Sequence, residues 1–343
     1  MKVAIDAREL HGKRTGVGRY LSELLAAWKA MPAASAHDFA LLAPRSGTAG
    51  TLWEQGSLPG LVRRAGANVL FAPGYTGPLR SPVPMVVAIH DVSFAAHPEW
   101  FSWREGLRRR MLSRLTAHQA VRVLTISEFS KQEIVRHLGV DASRIAVTYP
   151  GVTAMTDVAP GTSADPVVLY VGSVFNRRHV PELIDGFAQV ARRHSNARLE
   201  IVGDNRTTPR IDLQDRARRS GVGDRIRLRS YVGDEDLRNL YREARAFVFL
   251  SEYEGFGLTP VEALSAGIPI VVLDTAVARE IYGPAAIYVP RSDPTVVATA
   301  LERALFDVSE RARVLAASAD VLARYSWEEC ARRTLQILLA CAR

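Results

Sequence analysis

Short β-rich apolar runs alternate with helical patterns along almost the whole chain of 343 residues, and the alternation breaks down once. No other feature limits the fold so severely. A run such as Ile270-Val-Val-Leu273 carries apolar side chains on both faces, so it suits a strand that is covered on both sides. In the first half the patterns predict strands at 3–5, 39–43, 69–72, 85–89, 121–126 and 145–149, with helices at 19–30, 104–120 and 128–138. Across 153–166 they give way to a Thr-, Ala-, Gly- and Pro-rich stretch of linker composition. Strands are again predicted at 167–171, 199–202, 226–228, 246–250, 270–273 and 286–289, and helices near 181–194, 213–219, 235–243 and 260–266. Three more helices fit 294–306, 309–323 and 327–340.

Strand–helix alternation implies parallel sheets with helices on both faces. Two blocks of it around one linker predict an α/β fold of two doubly wound, Rossmann-like domains facing each other across a cleft. The expected first domain is 1–158, with a last helix at 326–343 packing back on it, and the second is 159–325. Apolar residues at 48% and charged residues at 23% fit an ordinary globular protein, and the length allows two full cores. No apolar run reaches the length of a membrane span and the N-terminus lacks a signal-peptide pattern, so a cytoplasmic location is expected. Cys330 and Cys341 fall on one predicted helix, roughly 16 Å apart and too distant for a disulfide.

The formal charge of +8 comes from an arginine excess and would suit nucleic acid, an anionic membrane surface or a nucleotide ligand. No recognition motif or aromatic stacking platform accompanies it, so nucleic acid is not expected as a partner. In doubly wound sheets ligands meet the carboxyl ends of the strands. The chemically distinctive clusters all follow their predicted strands: Asp6 and Gly16-Val17-Gly18, His90-Asp91, Gly172-Ser173 with Arg177-Arg178-His179, Gly203-Asp204-Asn205, and Glu254.

The stretch from Phe247 to Gly267 is the most informative of these. A glycine-bracketed turn (Gly255, Gly257) leads into a helix with Thr259 expected at the N-cap, Pro260 at the first helical position and Gly267 just past the end. The amides of Gly257 to Val261 would offer an anion the positive end of that helix. Glu254 and Glu262 stand eight positions apart, one on the turn and one on the helix. Thr259-Pro-Val-Glu262 also fits a capping box, so Glu262 has a structural reading; nothing local accounts for Glu254.

The other clusters each admit two readings. Arg177-Arg178 on a loop suits a diphosphate clamp. Gly16-Val17-Gly18 serves either a tight turn or close backbone approach to a ligand. His90 can reach ligand hydroxyls, and Asp91 can cap the next segment. The acids of Asp234-Glu-Asp236 are explained by the first turn of a helix, and no Cys/His grouping has zinc spacing, so no metal is expected. Trp100-Phe-Ser-Trp103 with Arg104, Arg108, Arg109, Arg110 and Arg114 fits a helix lying on an anionic membrane, or a solvated arginine face above core tryptophans.

Together these residues resemble the retaining glycosyltransferases of family 4, whose fold is the two-domain GT-B fold. Met1-Lys-Val-Ala-Ile-Asp-Ala-Arg with Thr15-Gly-Val-Gly-Arg-Tyr is similar to the family's opening strand and glycine loop, and Ile89-His-Asp to its His-Asp segment. Thr125-Ile-Ser-Glu-Phe-Ser-Lys is similar to the next strand end, and Tyr170-Val-Gly-Ser-Val-Phe-Asn-Arg-Arg-His to the segment that usually ends Arg-Lys-Asn. Glu254 and Glu262 match the paired glutamates with seven residues between. The family's usual lysine is Arg178 here, and the asparagine after it is His179.

The resemblance implies catalytic roles for Glu254, His90, Arg177 and Arg178. It implies donor binding by Gly16, Val17, Gly18, Ser173, Gly257, Leu258, Thr259 and Glu262. Glu254 would meet hydroxyls of the donor sugar and Glu262 the ribose, while the Leu258 and Thr259 amides and both arginines hold the diphosphate. The implied activity is hexosyl transfer, with retention, from a nucleotide diphosphate sugar to a glycan or lipid-linked acceptor in polysaccharide biosynthesis. It implies no metal and no other cofactor. Peripheral membrane contact through 100–114 fits such an acceptor. Arg178 motivates an alternative, a non-catalytic sugar-nucleotide sensor or partner subunit.

Overall fold

A computed structural model describes residues 1–11, 16–44, 50–153 and 165–342. Most of the linker-like stretch 153–166, and residues 12–15 of the expected glycine loop, lie outside them. The chain divides into two compact units, Met1–Gly151 with Tyr325–Arg343, and Val152–Arg324.

The first unit is built on β1 (Lys2–Asp6), β2 (Asp38–Leu42), β3 (Val69–Ala72), β4 (Met85–Ala88), β5 (Arg122–Thr125) and β6 (Ile145–Val147). Their order is β2-β1-β3-β4-β5-β6, with parallel neighbours throughout. β3 and β4 are buried at every position, as their unbroken apolar runs require. On one face Tyr20, Leu21, Leu24 and Trp28 of the helix Gly16–Ala30 join Val3, Ile5 and Phe71. Cys330, Ala331, Leu335 and Leu338 of the helix Trp327–Cys341 complete that core. The Trp28 indole N–H donates to the carbonyl of Ala331 at 2.8 Å, so the end of the chain is tied to its beginning.

The second unit is built on β7 (Val167–Val171), β8 (Arg198–Val202), β9 (Ile226–Arg229), β10 (Ala244–Phe249), β11 (Ile270–Leu273) and β12 (Ile287–Val289). All neighbours are parallel in the order β12-β11-β10-β7-β8-β9. The connection sense reverses between β7 and β10, which opens a crevice at their carboxyl ends where such sheets bind ligands. The helices Val180–Arg193 and Pro294–Phe306 meet so closely that a Cβ on Gly186 would lie 2.9 Å from the carbonyl oxygen of Pro294.

Every expected strand is present, three with the expected bounds and the rest with one or both ends displaced by no more than two residues. Helices at Pro32–Ser35, Ser93–Ala96 and Ala276–Tyr282, and a helical stretch across 50–65, were not expected. That stretch contains Gly56, Pro59 and Gly60, residues that read locally as breakers; burial of Trp53, Leu58 and Val62 holds it helical instead.

Candidate functional site

In the second unit, the turns after β7 and β10 meet. Arg178 approaches Glu254 twice, with Nε 2.8 Å and Nη2 2.7 Å from Oε1, and Ser251 Oγ donates to the same oxygen at 2.8 Å. Arg178 Nη1 donates to the Ser173 carbonyl at 2.8 Å, and its guanidinium lies 4.8 Å from the Phe249 ring centre. Burial opposes the charge on Arg178, and Glu254 outweighs it, so its pKa is raised. No cap or helix pairing accounts for Glu254; it is the counter-ion of Arg178, 76 positions away in the chain. Such a pair is poised rather than inert, because an arriving polyanion competes for the guanidinium while hydroxyls compete for the carboxylate.

Arg177 stacks on Phe175 at 4.4 Å, and its carbonyl accepts from the Glu252 amide at 3.0 Å. His179 bridges the same turns with Nε2 2.7 Å from Glu252 Oε1 and Nδ1 3.6 Å from Glu182 Oε2. Burial disfavours its charged ring, but the hydrogen bonds to Glu182 and Glu252 prevail and raise its pKa.

The helix beside this cluster is Leu258–Ser265, capped by Gly257 in the left-handed region at φ 85°. Thr259 and Pro260 are thus inside the first turn, not at the N-cap and first position, and Ala266 is the C-cap with Gly267 following at φ 72°. The helix starts early because Gly257 is held: Tyr282 Oη donates to its carbonyl at 3.2 Å, and a Cβ there would lie 2.1 Å from that oxygen. The first-turn amides of Leu258 and Thr259 have no intrahelical acceptor, whereas Val261 follows the N-cap Gly257 by four and can reach its carbonyl. Pro260 supplies no amide N–H. Glu262 is not a capping-box residue, because it lies within the helix, buried, and accepts from Tyr241 Oη at 3.3 Å. The Asp234-Glu-Asp236 acids occupy the first turn of the helix Asp234–Glu243.

In the first unit, His90 follows β4 and is buried, with its ring edge-on to Tyr20 and Tyr75. Its Nε2–H donates to the Pro73 carbonyl at 2.8 Å, and burial lowers its pKa, so the neutral ring presents Nδ1 as an acceptor. Asp91 accepts from Tyr75 Oη at 2.7 Å and from the Ser93 amide at 2.8 Å. Gly16, Val17 and Gly18 are not a loop but the first turn of the helix Gly16–Ala30. Gly18 has a packing reason to be glycine, since a Cβ there would lie 2.4 Å from the Glu9 carbonyl oxygen.

An ion network at the carboxyl end of β1 has no counterpart among the residues singled out above except Asp6. Arg8 Nη2 bridges Asp6, at 2.7 Å, and Glu54, which also accepts from Thr76 Oγ1 at 2.6 Å. Burial pushes the Asp6 carboxyl up to about 6, against the pull of Arg8. Glu54 lies in the unexpected helical stretch, so no sequence pattern pointed to it. Tyr282, Tyr241 and Ser251 were missed for a related reason: each acts through a contact that local patterns do not encode.

Among the described residues no helix is long and apolar enough to cross a membrane. Residues 14–154 match the model of Glycosyltransferase Family 4, and residues 158–319 match that of Glycosyl transferases group 1. The O-antigen chain mannosyltransferase B of Escherichia coli is 29% identical over 267 residues, spanning 73% of this chain and 68% of its own. The GDP-mannose:cellobiosyl-diphosphopolyprenol alpha-mannosyltransferase of Xanthomonas oryzae pv. oryzae is 32% identical over 190 residues, 55% of this chain and 49% of its own. Among solved structures, HepE of Anabaena in complex with UDP and glucose superposes with a TM-score of 0.75 over 99% of both chains at 18% identity, a likeness of fold.

Proposed function

The chain belongs to the family 4 glycosyltransferases, and from that premise we propose that its β7–β10 crevice binds a nucleotide diphosphate sugar and donates the hexosyl group, with retention, to a hydroxyl of a glycan or lipid-linked acceptor. The observation that carries this reading is the Arg178–Glu254 pair beside the first turn of the helix Leu258–Ser265. One patch thereby offers a cation, a carboxylate and unpaired helix amides, the groups that a diphosphate and a sugar require together.

In this reading the diphosphate takes Arg178 and Arg177 with the amides of Leu258 and Thr259, with Ser173 and Gly257 shaping the turns around it. Glu254, released from Arg178, orients the sugar hydroxyls, and Glu262 takes the ribose. In the first unit, His90 keeps a neutral ring whose acceptor nitrogen suits a sugar hydroxyl. The leaving phosphate oxygen takes the proton of the acceptor hydroxyl on the same face as an oxocarbenium-like centre forms. Rate enhancement then rests on positioning and on stabilising the leaving diphosphate. No metal is assigned a part. The relatives' names, O-antigen chain mannosyltransferase and cellobiosyl-diphosphopolyprenol mannosyltransferase, support polysaccharide biosynthesis with a glycan or polyprenol-linked acceptor.

Replacing Glu254 by Ala or Gln should lower transfer by on the order of a hundredfold or more, with circular dichroism unchanged. The Gln variant keeps an acceptor for Arg178 and Ser251, which separates lost chemistry from lost structure. Wild-type rates in both variants would sink the assignment. Arg178 in the place of lysine favours a second reading, a sugar-nucleotide sensor. Calorimetric donor binding with neither transfer nor donor hydrolysis across an acceptor panel would select it.

A further inference from the structure

The helix Trp103–Gln119 buries a side made of small residues, Gly106, Ser113, Thr116 and Ala117. Its outward side is of another kind. Trp103, Leu107, Met111 and Leu115 recur every fourth position and are 72%, 48%, 53% and 44% exposed. Arg104, Arg108, Arg110 and Arg114 are exposed too. At about 100° per residue these eight side chains share one sector roughly 160° wide. The only acid of the helix, Glu105, lies outside that sector and pairs with Arg109 at 2.7 Å. Thr51 accepts from Arg108 Nη1 at 3.2 Å, and the adjacent Leu52 is exposed, so the patch extends beyond the helix.

A solvated helix face mixes both signs of charge and spares large apolar groups; a core-facing side excludes arginines. This face does neither. We propose that it is a docking surface for an anionic lipid bilayer, on which the helix lies flat. Trp103 and the apolar row, about 18 Å long, would enter the boundary of the acyl region, and the arginines would meet phosphate headgroups. Trp100 takes no part, because it stacks on His97 with ring centres 3.9 Å apart, and Phe101 packs against the core. A second copy of the chain fits this face poorly, since an isologous pairing would bring four arginines against four. The inference leans on the proposed function only for its purpose, the delivery of a lipid-linked acceptor.

The test is co-sedimentation of the full chain with phosphatidylcholine vesicles, with and without phosphatidylglycerol. Binding should require the anionic lipid and weaken as salt rises. Substituting Arg108, Arg110 and Arg114 together by Ser should weaken it about a hundredfold, at about fivefold per arginine. The pair Trp103→Ser and Met111→Ser should abolish it. Thermal stabilisation by GDP or UDP, measured on the same preparations, reports the donor site separately and should not change in these variants. Absence of vesicle binding, or equal binding by wild type and variants, overturns the proposal. So does concentration-dependent self-association that Met111→Ser abolishes. Wild-type chain that is stabilised by nucleotide but binds no vesicles refutes the lipid surface alone; wild-type chain that binds vesicles but is not stabilised by nucleotide refutes the donor reading alone.

Discussion

Arg178 and Glu254 are 76 positions apart in the chain and share their charges in the fold. The sequence marked both as site candidates but could not reveal that each is the other's partner, because that contact depends on which strands are neighbours. His179 carries a sharper consequence. Its folded pKa is raised, so the stability it contributes is fully present below the unfolded value near 6.5 and is lost as pH rises through the folded value. The stability difference between wild type and His179→Asn should therefore be greatest in mildly acidic buffer and shrink above neutrality. Asparagine tolerates the left-handed backbone at this position, φ 49°, so the comparison isolates the ring charge. It also removes the background from Asp6, whose carboxyl titrates at about 6 in both proteins. Melting temperatures across this range check it, and a pH-independent difference would refute the charge bridge to Glu182 and Glu252.

At the scale of elements, the start of the helix Leu258–Ser265 shows how tertiary contact overrides local signals. Thr-Pro is a strong helix opening, yet the helix begins earlier because Tyr282 holds the carbonyls of Phe256 and Gly257. Tyr282 belongs to a helix of seven residues that its sequence barely announces. Gly257→Ala should destabilise the second unit by about 2 kcal/mol or more, through both the left-handed backbone and the clash with the Tyr282 hydroxyl. Tyr282→Phe alone should cost about 1 kcal/mol for the lost hydrogen bonds. Combining them should cost less than the sum, since Phe lacks the clashing oxygen. Denaturant unfolding of the four proteins completes the cycle, and strict additivity would contradict the geometry. The arginine-rich helix gives the matching lesson for surfaces, since its sequence allows both tryptophans to be core or both to be exposed, and packing divides them.

On the scale of the molecule, the chain closes on itself by a route that amphipathic patterning only partly discloses. The helix Trp327–Cys341 shows an apolar stripe, but the partner of that stripe is the helix Gly16–Ala30 at the other end of the sequence. Leu338 is fully buried there, so Leu338→Ala should lower the stability of the first unit by about 2–5 kcal/mol. Ending the chain after Arg324 should leave the second unit folded and the first proteolytically labile. Limited proteolysis followed by mass mapping distinguishes the two units, and a protease-resistant first unit in the shortened chain would show that the helix is dispensable.

Strand positions were legible because they depend on runs of apolar, β-branched side chains, which are local, and the carboxyl-end rule then ordered the candidate residues correctly along each strand. The order of strands within a sheet was not legible, because parallel pairing joins segments whose separation no short pattern records. That order sets β10 beside β7 and so brings Arg178 against Glu254. It also sets β3 beside β1, so that the turn after β3 brings Thr76 to the Arg8–Glu54 pair. The sequence by itself determined which side chains stand at the ends of which strands. Only the tertiary structure decided which charges neutralise one another, where Gly257 starts its helix, and which apolar row of the arginine-rich helix is left facing outward, since each of these depends on burial between segments far apart in the chain.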